Sequence, residues 1–118
     1  MAVMVLSRWR AQQVDVERIG RKLKKIYERH GVKFGVNFIF SGQYPGEFLA
    51  IIWYPDWERF ARTRHALSID TEYQDALAEA HRTGEMRGRS IVVGLELSDK
   101  SQTEIASGQQ AYSRRDEY

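Results

Sequence analysis

The chain contains 118 residues, of which 42% are hydrophobic and 29% are charged. This length and composition are typical of one globular domain and not of a disordered chain. Cysteine is absent, which excludes disulfide frameworks, thiolate metal sites, iron–sulfur clusters and cysteine nucleophiles. No apolar run approaches the roughly 20 residues that cross a bilayer, and the apolar start is too short for a signal peptide. We therefore expect a cytoplasmic protein with no membrane partner.

Charge gives little information about the partners of the chain. Eighteen Lys and Arg side chains against sixteen Asp and Glu side chains leave a net charge of +2. Six of the basic side chains fall within residues 15–29, together with three acidic ones. A nucleic-acid surface uses such a stripe, but the pattern is more typical of the solvated face of an amphipathic helix. We therefore expect no nucleic-acid partner.

The first elements in chain order are a strand and a helix. Residues 2–10 form a short run of β-prone residues. From Asp15 onward, apolar residues recur at helical spacing as far as residue 26, which predicts one apolar stripe on a helix. Asp15 suits the N-cap of this helix, and Gly31 suits its C-terminal stop.

Two strand-like runs follow, residues 32–40 and 47–54, joined by a turn-rich segment in which Pro45 and Gly46 fit a type II turn. If Phe40 pairs with Phe48, both faces of this hairpin are mostly apolar. A sheet covered by helices on one side only would alternate apolar and polar residues. The sequence therefore predicts that a second copy covers the other face, in a homodimer. An apolar cavity would explain only a few of these positions.

A second helical region is predicted from the cap Asp56, with a break just before Asp70, which caps the second piece. Residues 86–97 form the last strand, so the order of elements is β-α-β-β-α-β. Hydrophobic residues then become sparse, with 5 among the last 21. The sequence predicts one folded domain, 1–97, and a polar tail, 98–118, that is disordered or becomes ordered only against a partner.

The sequence resembles the dimeric α/β-barrel superfamily of ferredoxin-like proteins. Residues 46–57, Gly-Glu-Phe-Leu-Ala-Ile-Ile-Trp-Tyr-Pro-Asp-Trp, are the most specific part of the likeness, and residues 68–74, Ser-Ile-Asp-Thr-Glu-Tyr-Gln, resemble a second-helix signature of that superfamily. The likeness covers residues 2–97 and is strongest for NIPSNAP-like and antibiotic-biosynthesis-monooxygenase-like members. It implies an α+β fold in which a four-stranded antiparallel sheet pairs with a second copy into a dimeric α/β barrel.

The resemblance does not select an activity, because members include cofactor-free oxygenases, polyketide cyclases and haem-degrading enzymes. The three histidines, His30, His65 and His81, lack the spacing of metal ligands, so we expect no metal. No glycine pattern matches a phosphate loop or a dinucleotide fingerprint, and we expect no cofactor. RNA-recognition modules share the order of elements, but their third-strand motif fails here, where the strand begins with Glu47.

Seven residues are candidates for a ligand site. Arg64 lies near the middle of the apolar stripe that begins at Trp57, where it would hold an anionic group, unless its side chain reaches solvent from the edge of the stripe. His65 lies at the edge of that stripe, and either it or Tyr73 would handle protons, although a lone histidine more often serves packing. The remaining candidates would position a ligand: Asn37 and Trp53 in the hairpin, and Ser7 and Trp9 in the first strand.

Two hypotheses about function follow from these residues. The first is a homodimeric, cofactor-independent enzyme of oxygenase, cyclase or isomerase type that acts on a small aromatic or polyketide-like molecule. The second is a non-catalytic dimer that binds a small hydrophobic ligand or another partner. A pocket of at least roughly 300 Å³ that contains Arg64 and His65 would favour the enzyme.

Overall fold

The structure, a computed structural model, describes residues 1–95 and residue 97. Four strands and three helices follow one another in the order β1 (Val3–Ala11), α1 (Gln13–Arg29), β2 (Lys33–Phe38), β3 (Phe48–Tyr54), α2 (Trp57–Ser68), α3 (Thr71–Thr83) and β4 (Gly84–Val93). The strands form one antiparallel sheet in the order β2-β3-β1-β4. The predicted α+β, ferredoxin-like fold is therefore confirmed. The predicted tail, 98–118, lies outside the described residues.

The first helix begins earlier than the sequence pattern indicated. Its N-cap is Gln12, whose side chain makes no capping hydrogen bond, so the prediction of Asp15 as the cap is wrong. Asp15 lies instead in the first turn, where its carboxylate contacts the Arg18 guanidinium at 2.9 Å and complements the helix dipole. The predicted stop is confirmed: Gly31 has a φ of +74°, a left-handed conformation that glycine adopts without steric cost.

The second helical region is divided as predicted. The Asp56 carboxylate accepts a hydrogen bond from the Arg59 backbone N–H at 2.7 Å and caps α2. The Asp70 carboxylate accepts one from the Tyr73 backbone N–H at 3.2 Å and caps α3.

For the β2–β3 hairpin, the predicted faces are confirmed and the predicted register is wrong. Phe38, not Phe40, pairs with Phe48, and the two rings lie 5.4 Å apart. The Ile39 backbone N–H donates to the Glu47 carbonyl, which leaves Phe40 in the connecting loop, 85% exposed. The type II turn is as predicted, because Gly46 has a φ of +89° and the Glu47 N–H reaches the Tyr44 carbonyl at 3.4 Å. A shift of two residues returns every side chain to the same face.

The core lies between the helices and one face of the sheet. Val3 and Ile26 are almost completely inaccessible, and the Tyr27 ring stacks on the Phe34 ring with centroids 5.1 Å apart. These contacts join β1, α1 and β2. The remaining buried hydrophobic residues are Val5, Ile19, Val32, Phe48, Tyr54, Leu67 and Ala76.

The opposite face of the sheet, which we call the open face, has no helix packed on it among the described elements. Its central positions are apolar: Met4, Leu6, Leu49, Ile51, Trp53 and Val92. At one end of this face, the Glu47 carboxylate contacts the Arg8 guanidinium at 2.7 Å and lies 3.6 Å from that of Arg10. The apolar character of both faces of the hairpin, predicted from the sequence, is present in the folded sheet.

The basic stripe of α1 faces acidic side chains. Arg18 and Lys22 both contact Glu79 of α3, and Lys22 does so at 2.9 Å. Arg29 contacts Glu72 at 2.9 Å. Three of the six basic side chains therefore join α1 to α3 through ion pairs, which agrees with the interpretation of a solvated helical face.

Candidate functional site

A cavity of about 420 Å³ lies between the core face of the sheet and the three helices. Side chains that alternate along the strands form its floor, and α1, α2 and α3 form its walls. Most of the lining is apolar, and the volume falls within the roughly 300–1,000 Å³ of small-molecule sites. Floor residues include Val5, Ser7 and Trp9 of β1, Phe34 and Val36 of β2, and Ala50, Ile52 and Tyr54 of β3.

One end of the cavity is built by Trp9, Ser7 and His81. The Trp9 indole N–H donates to the Ser7 hydroxyl oxygen at 2.8 Å, so the pair predicted from their spacing of two lies on one face. The His81 ring, from the last turn of α3, packs against the Trp9 ring with centroids 5.0 Å apart. The Ser7 hydroxyl accepts from Trp9, and its own hydrogen is available to a ligand oxygen.

The other end contains three tyrosines. The Tyr27 hydroxyl donates to the Tyr73 hydroxyl oxygen at 3.4 Å, and the two rings meet edge to face at 5.8 Å. Burial raises the pKa of Tyr27 well above its usual range, so Tyr27 remains a neutral donor. Because Tyr27 fills an acceptor site of Tyr73, the Tyr73 hydroxyl can direct its own hydrogen toward the cavity.

Tyr54 is the third tyrosine at this end. Its ring packs edge to face on Phe60 at 5.1 Å, and the residue is only 3% exposed. Burial raises the pKa of Tyr54 to about 12, while the positive charges of Arg64 and Arg89 act in the opposite direction. The Arg64 guanidinium lies over the Phe60 ring, 5.5 Å from its centroid. Arg64 thus lines the cavity and is also exposed, at the mouth, as the side chain at the edge of an apolar stripe would be.

Four of the seven residues predicted for a ligand site line the cavity: Ser7, Trp9, Arg64 and Tyr73. His65 is exposed on α2 and is not among the lining residues, because one residue is a rotation of about 100° from Arg64 on a helix. Asn37 and Trp53 lie on the open face, where Trp53 packs over Gly35. Each role assigned to these residues stays a prediction.

Sequence reasoning missed Arg89, Tyr54 and His81 as lining residues. A signal for Arg89 was present, since it alternates with Ile91 and Val93 along β4 and pairs with Ser7 across β1. An arginine on an otherwise apolar strand face requires either a partner or access to solvent. His81 was considered as a metal ligand, whereas its place in the last turn of α3 puts its ring in the lining of the cavity.

Two absences concern only the described part of the chain. Within residues 1–95 and residue 97, no helix is long and apolar enough to cross a membrane. The same residues contain no group of three or more His, Cys, Asp or Glu side chains placed to hold a metal ion.

Comparison with known proteins gives matches in structure and not in sequence. No protein-family model matches the chain, and no curated protein is similar enough in sequence to count as a relative. A NIPSNAP domain protein from Burkholderia xenovorans superposes with a TM-score of 0.62 at 16% identity, over 83% of this chain and 98% of that one. The cofactor-independent oxygenase SnoaB from Streptomyces nogalater gives 0.60 at 11% identity, over 80% and 94%.

A third solved structure extends this set. A protein from Chloroflexus aurantiacus, proposed to be an antibiotic biosynthesis monooxygenase, superposes with a TM-score of 0.57 at 14% identity, over 81% of this chain and 95% of that one. The structural neighbours are therefore NIPSNAP and antibiotic-biosynthesis-monooxygenase-like proteins, as the resemblance in sequence indicated. At these identities the likeness establishes the fold and leaves the activity open.

Proposed function

We propose that the chain is a small homodimeric protein that uses the cavity between sheet and helices to bind a small aromatic or polyketide-like molecule. The observation that carries the proposal is the cavity itself, whose lining is mostly apolar, with Ser7 and Trp9 at one end and Tyr54 at the other. Along β1 the two ends are separated by the six residue steps from Val3, opposite Tyr54, to Trp9, or about 20 Å. That length suits an elongated, flat ligand.

The proposed activity is that of a cofactor-independent enzyme of oxygenase, cyclase or isomerase type. Reactions of these types can begin when a carbon next to a carbonyl group loses a proton to water, which leaves negative charge on the carbonyl oxygen. Arg64 would stabilise the negative charge that develops on the ligand oxygen, and the Tyr73 hydroxyl, held by Tyr27, would exchange a proton with it. One structural neighbour, SnoaB, is described as a cofactor-independent oxygenase.

Proton exchange on a bicyclic ketone tests this proposal. The probe is 2-tetralone in deuterated buffer, and the loss of its signals for hydrogens next to the carbonyl is followed by NMR. We expect exchange at least about tenfold faster with the wild-type protein than in buffer. Tyr73→Phe should reduce this acceleration without weakening ligand binding, because it removes only the hydroxyl. The Ala61→Phe variant, altered on the exposed side of α2, is the control.

The second candidate function is a non-catalytic ligand-binding dimer. The exposed position of His65 favours it, because the imidazole predicted to move protons does not line the cavity. Binding of 2-tetralone without faster exchange would support this alternative. A wild-type protein that does not bind the probe at all would contradict both candidates.

The dimer itself is proposed from the open face. Six apolar side chains stand at its centre, and no described helix covers them. A sheet that faces water on one side carries polar residues there. A second copy that packs its own open face against this one would remove the apolar surface from water, with a gain of about 25 cal/mol per Å² buried.

A further inference from the structure

Arg64 and Arg89 are unusual among the arginines of the described region because they line an apolar cavity and lack a partner of opposite charge. Neither guanidinium makes an ion pair or a hydrogen bond with any described residue. By contrast, Arg8 contacts Glu47 at 2.7 Å and Arg29 contacts Glu72 at 2.9 Å. Both residues are exposed, so water solvates their guanidinium groups, and a ligand carboxylate can replace that water with charge-assisted hydrogen bonds.

The Tyr54 hydroxyl is a second polar group without a partner at this place. Tyr54 is 97% shielded from solvent, lines the cavity, and has no hydrogen-bond partner among the described residues. No fully shielded side-chain N or O atom of the described residues lacks a hydrogen-bond partner, so the Tyr54 hydroxyl oxygen is open to the cavity, where a ligand oxygen can accept its hydrogen. With a pKa of about 12, the hydroxyl is a donor at neutral pH.

The three groups line the same cavity although they come from three elements. Two of them flank the Phe60 ring, whose centroid lies 5.1 Å from that of Tyr54 and 5.5 Å from the Arg64 guanidinium carbon. Arg64 belongs to α2, Arg89 to β4 and Tyr54 to β3. The charges of both arginines reach the Tyr54 hydroxyl, since each of them opposes the rise in its pKa.

We propose that Arg64, Arg89 and the Tyr54 hydroxyl form an anion site for the carboxylate of an aromatic acid whose ring lies on the apolar floor of the cavity. The inference rests on the proposed function of the cavity and names its ligand class. A carboxylate has two oxygens and about four lone pairs, enough to accept from two guanidinium groups and one hydroxyl. Ile52 and Phe34 of the floor, which pair across β2 and β3, would contact the ring.

A matched pair of probes tests the charge requirement directly. 2-Naphthoate and 2-naphthamide have nearly the same shape, and only the first carries a negative charge at neutral pH. Calorimetric titration of the wild-type protein should show at least about tenfold tighter binding of 2-naphthoate, as expected for charge-assisted hydrogen bonds. The difference should decrease as salt is added.

Variants assign the preference to the named side chains. Arg64→Gln and Arg89→Gln should each weaken 2-naphthoate binding by about fivefold or more and leave 2-naphthamide binding almost unchanged. Tyr54→Phe should also reduce the preference, since it removes one donor. Arg62→Gln, an exposed arginine of the same helix as Arg64, is the control and should behave like the wild type. Binding of 2-naphthamide shows in each variant that the cavity is intact.

Two results would overturn the anion site. One is equal affinity of the wild-type protein for both probes, and the other is a preference for 2-naphthoate that persists in the double variant Arg64→Gln/Arg89→Gln. Either result leaves the ligand-binding function of the cavity standing, because a probe still binds. If neither probe binds the wild-type protein, the anion site and the proposed function both fail.

Discussion

At the scale of single residues, Glu47 is an almost completely buried acidic side chain at one end of the open face. Its side chain is 7% exposed and lies among three arginines, with Arg8 at 2.7 Å, Arg10 at 3.6 Å and Arg87 at 3.9 Å. Arg8 also donates to the Arg87 carbonyl at 3.0 Å and stacks on Tyr44. One carboxylate therefore holds together side chains from β1, the hairpin loop and β4.

Neutralising this carboxylate should destabilise the protein. Glu47→Gln removes the carboxylate that Arg8, Arg10 and Arg87 share, and we expect the free energy of unfolding to fall by about 2 kcal/mol. Of the three arginines, Arg87 keeps a second carboxylate partner, Glu85, at 2.7 Å. Urea titration followed by circular dichroism measures the change. Glu58→Gln, which removes an exposed ion pair with Arg62, should cost less than about 0.5 kcal/mol. Equal losses in the two variants would contradict the structural role of Glu47.

Asp70 should make stability depend on pH in the acid range. Hydrogen bonds from His30, from the Tyr73 backbone N–H and from Arg29 lower its pKa from 3.8 to about 2. A carboxyl group with a lowered pKa in the folded state stabilises that state above its ordinary pKa, and the contribution is lost as the pH falls from about 4 toward 2.

The variant Asp70→Asn isolates this effect, since asparagine still caps a helix but carries no charge. We expect it to be less stable than the wild type at pH 6, and the difference between their urea midpoints to shrink as the pH is lowered to 2. A difference that stays constant over this range would show that the charge of Asp70 does not contribute.

At the scale of elements, the junction between α3 and β4 depends on Gly84. A Cβ atom at this position would lie 2.9 Å from the Ala11 Cβ and 3.3 Å from the Arg10 carbonyl oxygen, neither of which can move without the backbone of β1. Gly84→Ala should therefore lower the free energy of unfolding by about 1–3 kcal/mol. Gly94→Ala, whose nearest contacts would be at 3.7 and 3.8 Å, should change it by less than about 0.5 kcal/mol. Thermal melts that rank the two variants in the opposite order would contradict this packing.

The helix caps and the β2–β3 hairpin show which features of the fold a sequence can predict. The caps Asp56 and Asp70 and the turn at Pro45 and Gly46 depend on chemistry within four residues, and all of them are confirmed. The hairpin register was wrong by two residues because the strands stop pairing at Phe38 and Phe48, and Ile39 bonds to Gly46 and Glu47 through its backbone. The apolar pattern is the same in both registers, so it could not distinguish between them.

The candidate site could be predicted only in part, for a related physical reason. Spacing placed Ser7 and Trp9 on one strand face, and it placed Arg64 on an apolar helix stripe. Packing of distant elements decides which of the two apolar faces of the sheet receives the helices. The sequence therefore could not show that Asn37 and Trp53, both predicted to position a ligand, lie on the open face. Arg89 lines the cavity because of the way β4 pairs with β1. That pairing includes a β-bulge next to Trp9, where Arg8 pairs with Gly88 and Trp9 with Met86.

At the scale of the whole molecule, the two faces of the sheet have different proposed roles. One face forms the floor of the cavity, and the open face is proposed to pack against a second copy. We expect light scattering at micromolar concentration to give twice the mass of one chain. Ile51→Lys, at the centre of the open face, should shift the protein toward the monomer, whereas Ala78→Lys on the exposed side of α3 should not. A wild-type protein that is a uniform monomer would contradict the dimer.

If the cavity between sheet and helices is a ligand site, filling it with a side chain should prevent ligand binding. Ala50 lies on the cavity floor, so Ala50→Phe adds a ring to the space that a ligand would occupy. Calorimetric titration with 2-naphthol, together with a far-UV spectrum of each protein, compares this variant with the wild type and with Ala61→Phe. We predict that the wild type and Ala61→Phe bind the probe, and that Ala50→Phe keeps its fold and loses binding by about tenfold or more. Unchanged binding in a folded Ala50→Phe protein would contradict the account.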